Sequence, residues 1–151
     1  MKQSLLALFL LLAIGACKPQ DTPTSMADIQ QMIDSGELKG TWKFSKMVAS
    51  WGNQETPAAD FDYQEFYEFS ADGTFRKYRS SGESDSGTYE VKDLSDGKYI
   101  ITTYTEGATL PVSCTPGQEA LKVEENGVLY GGALPCDGPA LYYEPFGENA
   151  Q

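Results

Sequence analysis

Three cysteines, 22 carboxylates and no histidine set the chemistry open to this 151-residue chain. Without an imidazole, Ser-His-Asp and Cys-His catalysis, histidine-ligated zinc and a histidine pH switch are excluded. Acid–base work would fall to paired carboxylates, either Asp60 with Asp62 or Glu65 with Glu68. In so acidic a chain these read as solvated strand and loop charges, so no catalytic residue and no enzymatic activity is assigned. Asp60-Phe61-Asp62 and Glu83-Ser84-Asp85 are rich in oxygen but lack EF-hand spacing. No metal site and no cofactor are therefore expected. The formal charge of −11 argues against nucleic acid as a partner, because a duplex demands a basic face. An aromatic content of 12%, with 15 glycines and 8 prolines, suits a turn-rich β domain better than a disordered chain.

The elements that must position these residues follow an export segment. Met1-Lys2 is a short positive start, Leu5 to Ile14 is an apolar run, and Gly15-Ala16 is a small pair. This is the pattern of a signal peptide over residues 1–16, and the run is too short to stay across a bilayer. Ile14-Gly15-Ala16-Cys17 resembles the bacterial lipoprotein pattern of an aliphatic residue, two small residues and a cysteine. The resemblance implies cleavage before Cys17, a diacylglyceryl thioether on its sulfur and a fatty acyl group such as palmitate on its new amine. Two or more acyl chains anchor stably, at about 0.8 kcal/mol per buried methylene. Loss of Lys2 makes the remaining chain more acidic still, so the acyl chains and not the protein face must hold the membrane. Residues 17–25 read as the lipidated cysteine and a polar, proline-broken tether. The expected address is the cell envelope, lipid-anchored to a bacterial membrane, with the outer membrane favoured and the leaflet left open.

With Cys17 used for lipid, Cys114 and Cys136 form an even pair in an oxidising compartment. A disulfide between them would close a loop of about 23 residues, worth roughly 3 kcal/mol. A thiol metal site or a redox dithiol would need a third ligand or C-x-x-C spacing, and neither is present.

Ser25 and Asp28 have capping-box spacing, Met26, Ile29, Met32 and Ile33 recur at helical intervals, and Gly36 stands where a helix stops. This predicts one short helix over 26–35. After Leu38 the period is two. Strands are predicted at 40–50, 65–70, 74–80, 87–92, 98–104, 109–114, 120–124, 128–130 and 140–144, with loops at 51–62 and 80–86. Ala71-Asp72-Gly73 permits a register argument. A three-residue loop with Gly73 left-handed pairs residues whose numbers sum to 144. Phe69 then meets Phe75, Tyr67 meets Lys77 and Glu68 meets Arg76, with aromatics on one face and opposite charges on the other. Glu125-Asn126-Gly127 marks a further hairpin. So many short strands in so few residues lose their exposed edges most economically by closing.

Leu38-Lys39-Gly40-Thr41-Trp42, Phe69-Ser70-Ala71-Asp72-Gly73-Thr74-Phe75 and Gly87-Thr88-Tyr89 follow one another in a familiar order. Over about 38–145 the chain resembles the lipocalin-like domain of small bacterial lipoproteins. The resemblance implies an all-β fold, an up-and-down antiparallel barrel of about eight strands, with the short N-terminal helix plugging one end. The barrel domain would occupy 26–145 and a tail 146–151. The last strand, Ala140-Leu141-Tyr142-Tyr143-Glu144, offers no Arg or Lys to cover Trp42, so an aromatic is expected there.

A barrel of eight strands is just wide enough to be filled by side chains or to hold one small ligand. The candidate lining is Trp42, Phe44, Tyr67, Phe69, Phe75, Tyr89, Val91, Ile101, Val123 and Tyr130. These residues either fill a core or form an apolar cup with a few hydroxyls to orient a guest. The expected role is binding of a small hydrophobic or amphipathic ligand at the cell envelope by a monomer. The alternative is an acidic interaction protein that captures a basic partner, such as a lysozyme-type hydrolase, through charge.

Overall fold

A computed structural model describes residues 25–147. The signal peptide, Cys17, the tether up to residue 24 and the tail beyond residue 147 lie outside the described residues. Helix α1 (Met26–Ser35) starts at Ser25, whose hydroxyl accepts the Asp28 N–H, and ends at left-handed Gly36. Its apolar stripe buries Ile29 and Ile33.

Nine strands follow: β1 (Gly40–Val48), β2 (Glu55–Pro57), β3 (Glu65–Phe69), β4 (Thr74–Arg79), β5 (Ser84–Leu94), β6 (Gly97–Tyr104), β7 (Gln118–Val123), β8 (Leu129–Gly132) and β9 (Ala140–Phe146). All pairings are antiparallel. Eight strands close in the order β1-β3-β4-β5-β6-β7-β8-β9 and back to β1, while β2 adds a short rung on Lys46–Val48. The β3–β4 hairpin has the expected register: Phe69 faces Phe75, Tyr67 faces Lys77 and Glu68 faces Arg76. Gly73 takes φ 83°, as its three-residue loop requires. The Glu125-Asn126-Gly127 loop closes the same way, with Gly127 at φ 73°.

Trp42 is fully buried near the α1 end. Its Nε1–H donates to the Gly127 carbonyl at 2.9 Å, and Phe69 meets its ring edge-on at 5.4 Å. The aromatic against this tryptophan comes from β3 and not from the last strand. A side-chain carbon on Gly127 would press into Ile29 at 2.8 Å, so that glycine lets the helix close against the turn.

Three segments differ from expectation. Residues 109–114 form no strand. Pro111 has no N–H, and the N–H groups of Thr109, Leu110 and Val112 go to carboxylate side chains instead of a neighbouring ladder. The 51–62 loop contains β2 and a short 3-10 turn, Ala58–Asp60. The polar 80–86 loop is shorter than expected, because Ser84, Asp85 and Ser86 pair with Tyr78, Lys77 and Arg76.

Candidate functional site

Alternation along the strands sends one set of side chains inward, and the interior changes character from one end to the other. Near α1 it is apolar. Trp42, Phe69, Phe75 and Tyr89 pack there as a chain of edge-on and tilted rings. The Tyr89 hydroxyl shares its one proton between the Leu38 and Ser70 carbonyls, each at 3.0 Å, and burial raises its pKa. Gly87 lies between Phe75 on β4 and Tyr104 on β6, whose rings meet edge-on at 4.8 Å. A Cβ there would stand 2.0 Å from the Thr103 carbonyl oxygen, which is why a glycine precedes Tyr89 by two residues.

Toward the other end, the mouth, the interior is charged. Glu65, Lys77 and Glu119 are all buried. The Lys77 ammonium lies 3.2 Å from Glu119 Oε1 and 3.4 Å from Glu65 Oε1, and donates to the Leu110 carbonyl at 3.2 Å. It sits over the rings of Tyr67 and Tyr143 at 4.9 and 5.8 Å. Glu65 also takes Arg79 Nε–H at 2.7 Å and the Tyr143 hydroxyl at 2.6 Å. Glu119 accepts from the Tyr67 and Tyr104 hydroxyls and from the Val112 N–H at 2.6 Å. No buried side-chain nitrogen or oxygen among the described residues lacks a partner. Burial, reinforced by the adjacent carboxylates, pushes the phenols of Tyr67, Tyr104 and Tyr143 far above their ordinary range. They remain neutral donors that hold the two anions in place.

The mouth is crossed by a strap, residues 105–117. Leu110 is buried under it, and its carbonyl and the Val112 N–H join the charged cluster directly. Asp85 on β5 accepts the N–H groups of Thr109 and Leu110 at 2.7 and 2.6 Å. The Cys114–Cys136 disulfide, with Cα atoms 5.8 Å apart, ties the strap to the β8–β9 connection.

Of the candidate lining, Trp42, Phe44, Tyr67, Phe69, Phe75 and Tyr89 are buried inside. Val91 and Val123 pack against the core from partly buried positions. Ile101 and Tyr130 do not belong to it. In the pairs Ile100-Ile101 and Leu129-Tyr130 the first residue points inward, and Tyr130 stacks outside on Tyr142 at 5.2 Å. Glu65 and Glu68 face opposite sides of β3 and make no acid–base pair. The residues that sequence reasoning missed are Lys77, Glu119, Tyr104 and Tyr143. A signal for Lys77 existed, since the hairpin register sets it opposite Tyr67 and two residues from Phe75 on the same face.

The family profile of the lipocalin-like domain matches residues 38–115. No curated protein and no solved structure matches the chain.

Proposed function

The chain belongs to the lipocalin-like domain family, and from that premise we propose a non-enzymatic binding protein of the bacterial cell envelope, anchored to the outer membrane through acylated Cys17, whose barrel takes a small amphipathic molecule. The observation that carries this reading is the divided interior, apolar around Trp42, Phe69 and Phe75 and ionic around Lys77 and Glu119. A barrel that only had to be filled would do as well with apolar side chains, because buried ion pairs seldom outperform them in stability. The apolar part of the guest lies among the rings near α1. Its polar head accepts the hydrogen bond that Lys77 now donates to the Leu110 carbonyl. The buried rings and ion pairs occupy this region beneath Leu110, so entry requires the strap to lift.

Trp42 reports the event. Trp51 is exposed and would add background, so a Trp51→Phe variant isolates the buried ring. Titration with a medium-chain fatty acid should give a saturable change in its fluorescence, weakened in Lys77→Met. A flat titration of folded protein would refute interior binding. Separately, Cys17→Ala should move the protein from the membrane fraction to the soluble fraction, and unchanged fractionation would refute the anchor.

The tightly occupied interior also favours the second reading, in which the acidic exterior captures a basic protein. That reading expects inhibition of a lysozyme-type hydrolase that fades with added salt, and no response of Trp42 to amphiphiles.

A further inference from the structure

The outer face of β9, β1, β3 and β4 carries a row of aromatic rings that interior binding leaves unused. Phe146, Phe66 and Tyr78 follow one another at centroid distances of 5.6 and 5.1 Å. Lys43 lies over the Phe146 ring at 5.4 Å, and Arg76 lies over Tyr78 at 4.8 Å. Positions facing solvent on a barrel normally alternate to polar residues, yet Phe146 is 50% exposed.

The two cations are also anomalous. Among the described residues, neither Lys43 nor Arg76 has a carboxylate within 4.0 Å, although acids outnumber bases two to one. Lys46, Lys92 and Lys122 each have one, and Lys98 has two. Arg76 stands opposite Glu68 in the register yet leans on Tyr78 instead. Two strand spacings and two residues of rise put the Lys43 and Arg76 Cβ atoms about 12 Å apart. Beside Phe146 opens a groove of about 560 Å³, edged by Lys43, Ser45, Gln64 and Glu144.

We propose that this face binds an acidic polysaccharide, a chain of sugar rings bearing carboxylates. The C–H faces of the rings rest on the exposed aromatic edges. Their carboxylates meet Lys43 and Arg76, roughly two sugar rings apart, through charge-assisted hydrogen bonds. Sugar hydroxyls both donate and accept, so they suit the mixed rim of Ser45, Gln64 and Glu144. Glu144 and Glu68 stand opposite Lys43 and Arg76 in the register, but both cations lean on aromatic rings instead of on those carboxylates, and more distant acids are largely screened at physiological salt. An anionic bilayer fits less well, because the site beside Phe146 is a groove, which suits a chain and not a flat surface.

The test uses the full-length protein in neutral detergent at physiological salt, measured by affinity electrophoresis in gels containing polygalacturonate or neutral dextran. Retardation is expected with polygalacturonate alone. It should fall about tenfold in a Lys43→Ala/Arg76→Ala variant, two exposed ionic contacts being worth about that factor. Phe146→Ala should weaken it separately, while the Trp42 response to fatty acid stays as in the parent. Equal retardation of the double variant, equal retardation by dextran, or binding confined to phosphatidylglycerol vesicles would each overturn the proposal.

Discussion

Replacing Lys77 with methionine keeps the side chain's reach and deletes its charge. In the parent, Lys77 and Arg79 balance Glu65 and Glu119. In the variant Glu65 retains Arg79 and the Tyr143 hydroxyl, but Glu119 retains only uncharged donors, the hydroxyls of Tyr67 and Tyr104 and the Val112 N–H. Stranding one member of a buried pair costs about 3–5 kcal/mol. Against a total stability of about 5–15 kcal/mol this is a large share. With a urea slope of about 2 kcal/mol per molar, the unfolding midpoint should fall by about 2 M. The assay is equilibrium denaturation followed by circular dichroism and tryptophan fluorescence. Glu119→Gln should cost less, because Lys77 keeps Glu65 at 3.4 Å. The double variant Lys77→Met/Glu119→Gln should be more stable than the sum of the two single losses by about 1–2 kcal/mol, a coupling usual for residues in contact. A Lys77→Met protein within about 0.5 kcal/mol of the parent, or strict additivity in the cycle, would refute the interior charge balance.

Three further outcomes are expected. The raised phenols of Tyr67, Tyr104 and Tyr143 keep their protons in the folded state, whereas the unfolded chain releases them near pH 10. The stability they confer is intact below that pH and is lost as pH rises above it, at about 1.4 kcal/mol per pH unit for each tyrosine. Phenolate absorbance should therefore rise in two stages, the second coinciding with unfolding, and a single early titration of all nine tyrosines would contradict this. Gly87→Ala should destabilise by about 1–3 kcal/mol, since its methyl meets main chain and not a movable side chain; thermal melting no lower than the parent's would show the β5–β6 contact to be looser than described. Replacing Cys114 and Cys136 with serine should cost roughly 3 kcal/mol and speed hydrogen exchange at Thr109, Leu110 and Val112, whereas unchanged exchange would mean that the carboxylates alone hold the strap.

Strand positions were readable because alternation and turn residues agreed. The β3–β4 register followed from one left-handed glycine and from the gain of stacking Phe69 on Phe75. Facing was ambiguous only where two apolar residues adjoin, as at Ile100-Ile101 and Leu129-Tyr130, since alternation then admits either phase. The charged cluster was hidden for a different reason. Expectation sorts lysine and glutamate to the outside, and Lys77 is tolerated inside through Glu65 on the neighbouring strand and through Glu119 and Leu110, 42 and 33 residues further along the chain. Such compensation is a property of the closed barrel and has no local signature. The strap was mistaken for a strand because its residues look extended, while the groups that satisfy its backbone come from distant side chains.

The pairing of β1 with β9 joins Thr41 to Phe146, so nearly the whole described chain must be present before the barrel can shut. Neighbouring hairpins can form early, but this last seam carries the entropy of a very long loop, and such topologies fold on a millisecond-to-second scale. Until then the edges of β1 and β9 remain open to other chains. A truncation that removes β9 should therefore yield aggregate rather than a smaller barrel, and assembly of this protein is a race between sealing the seam and meeting a neighbour.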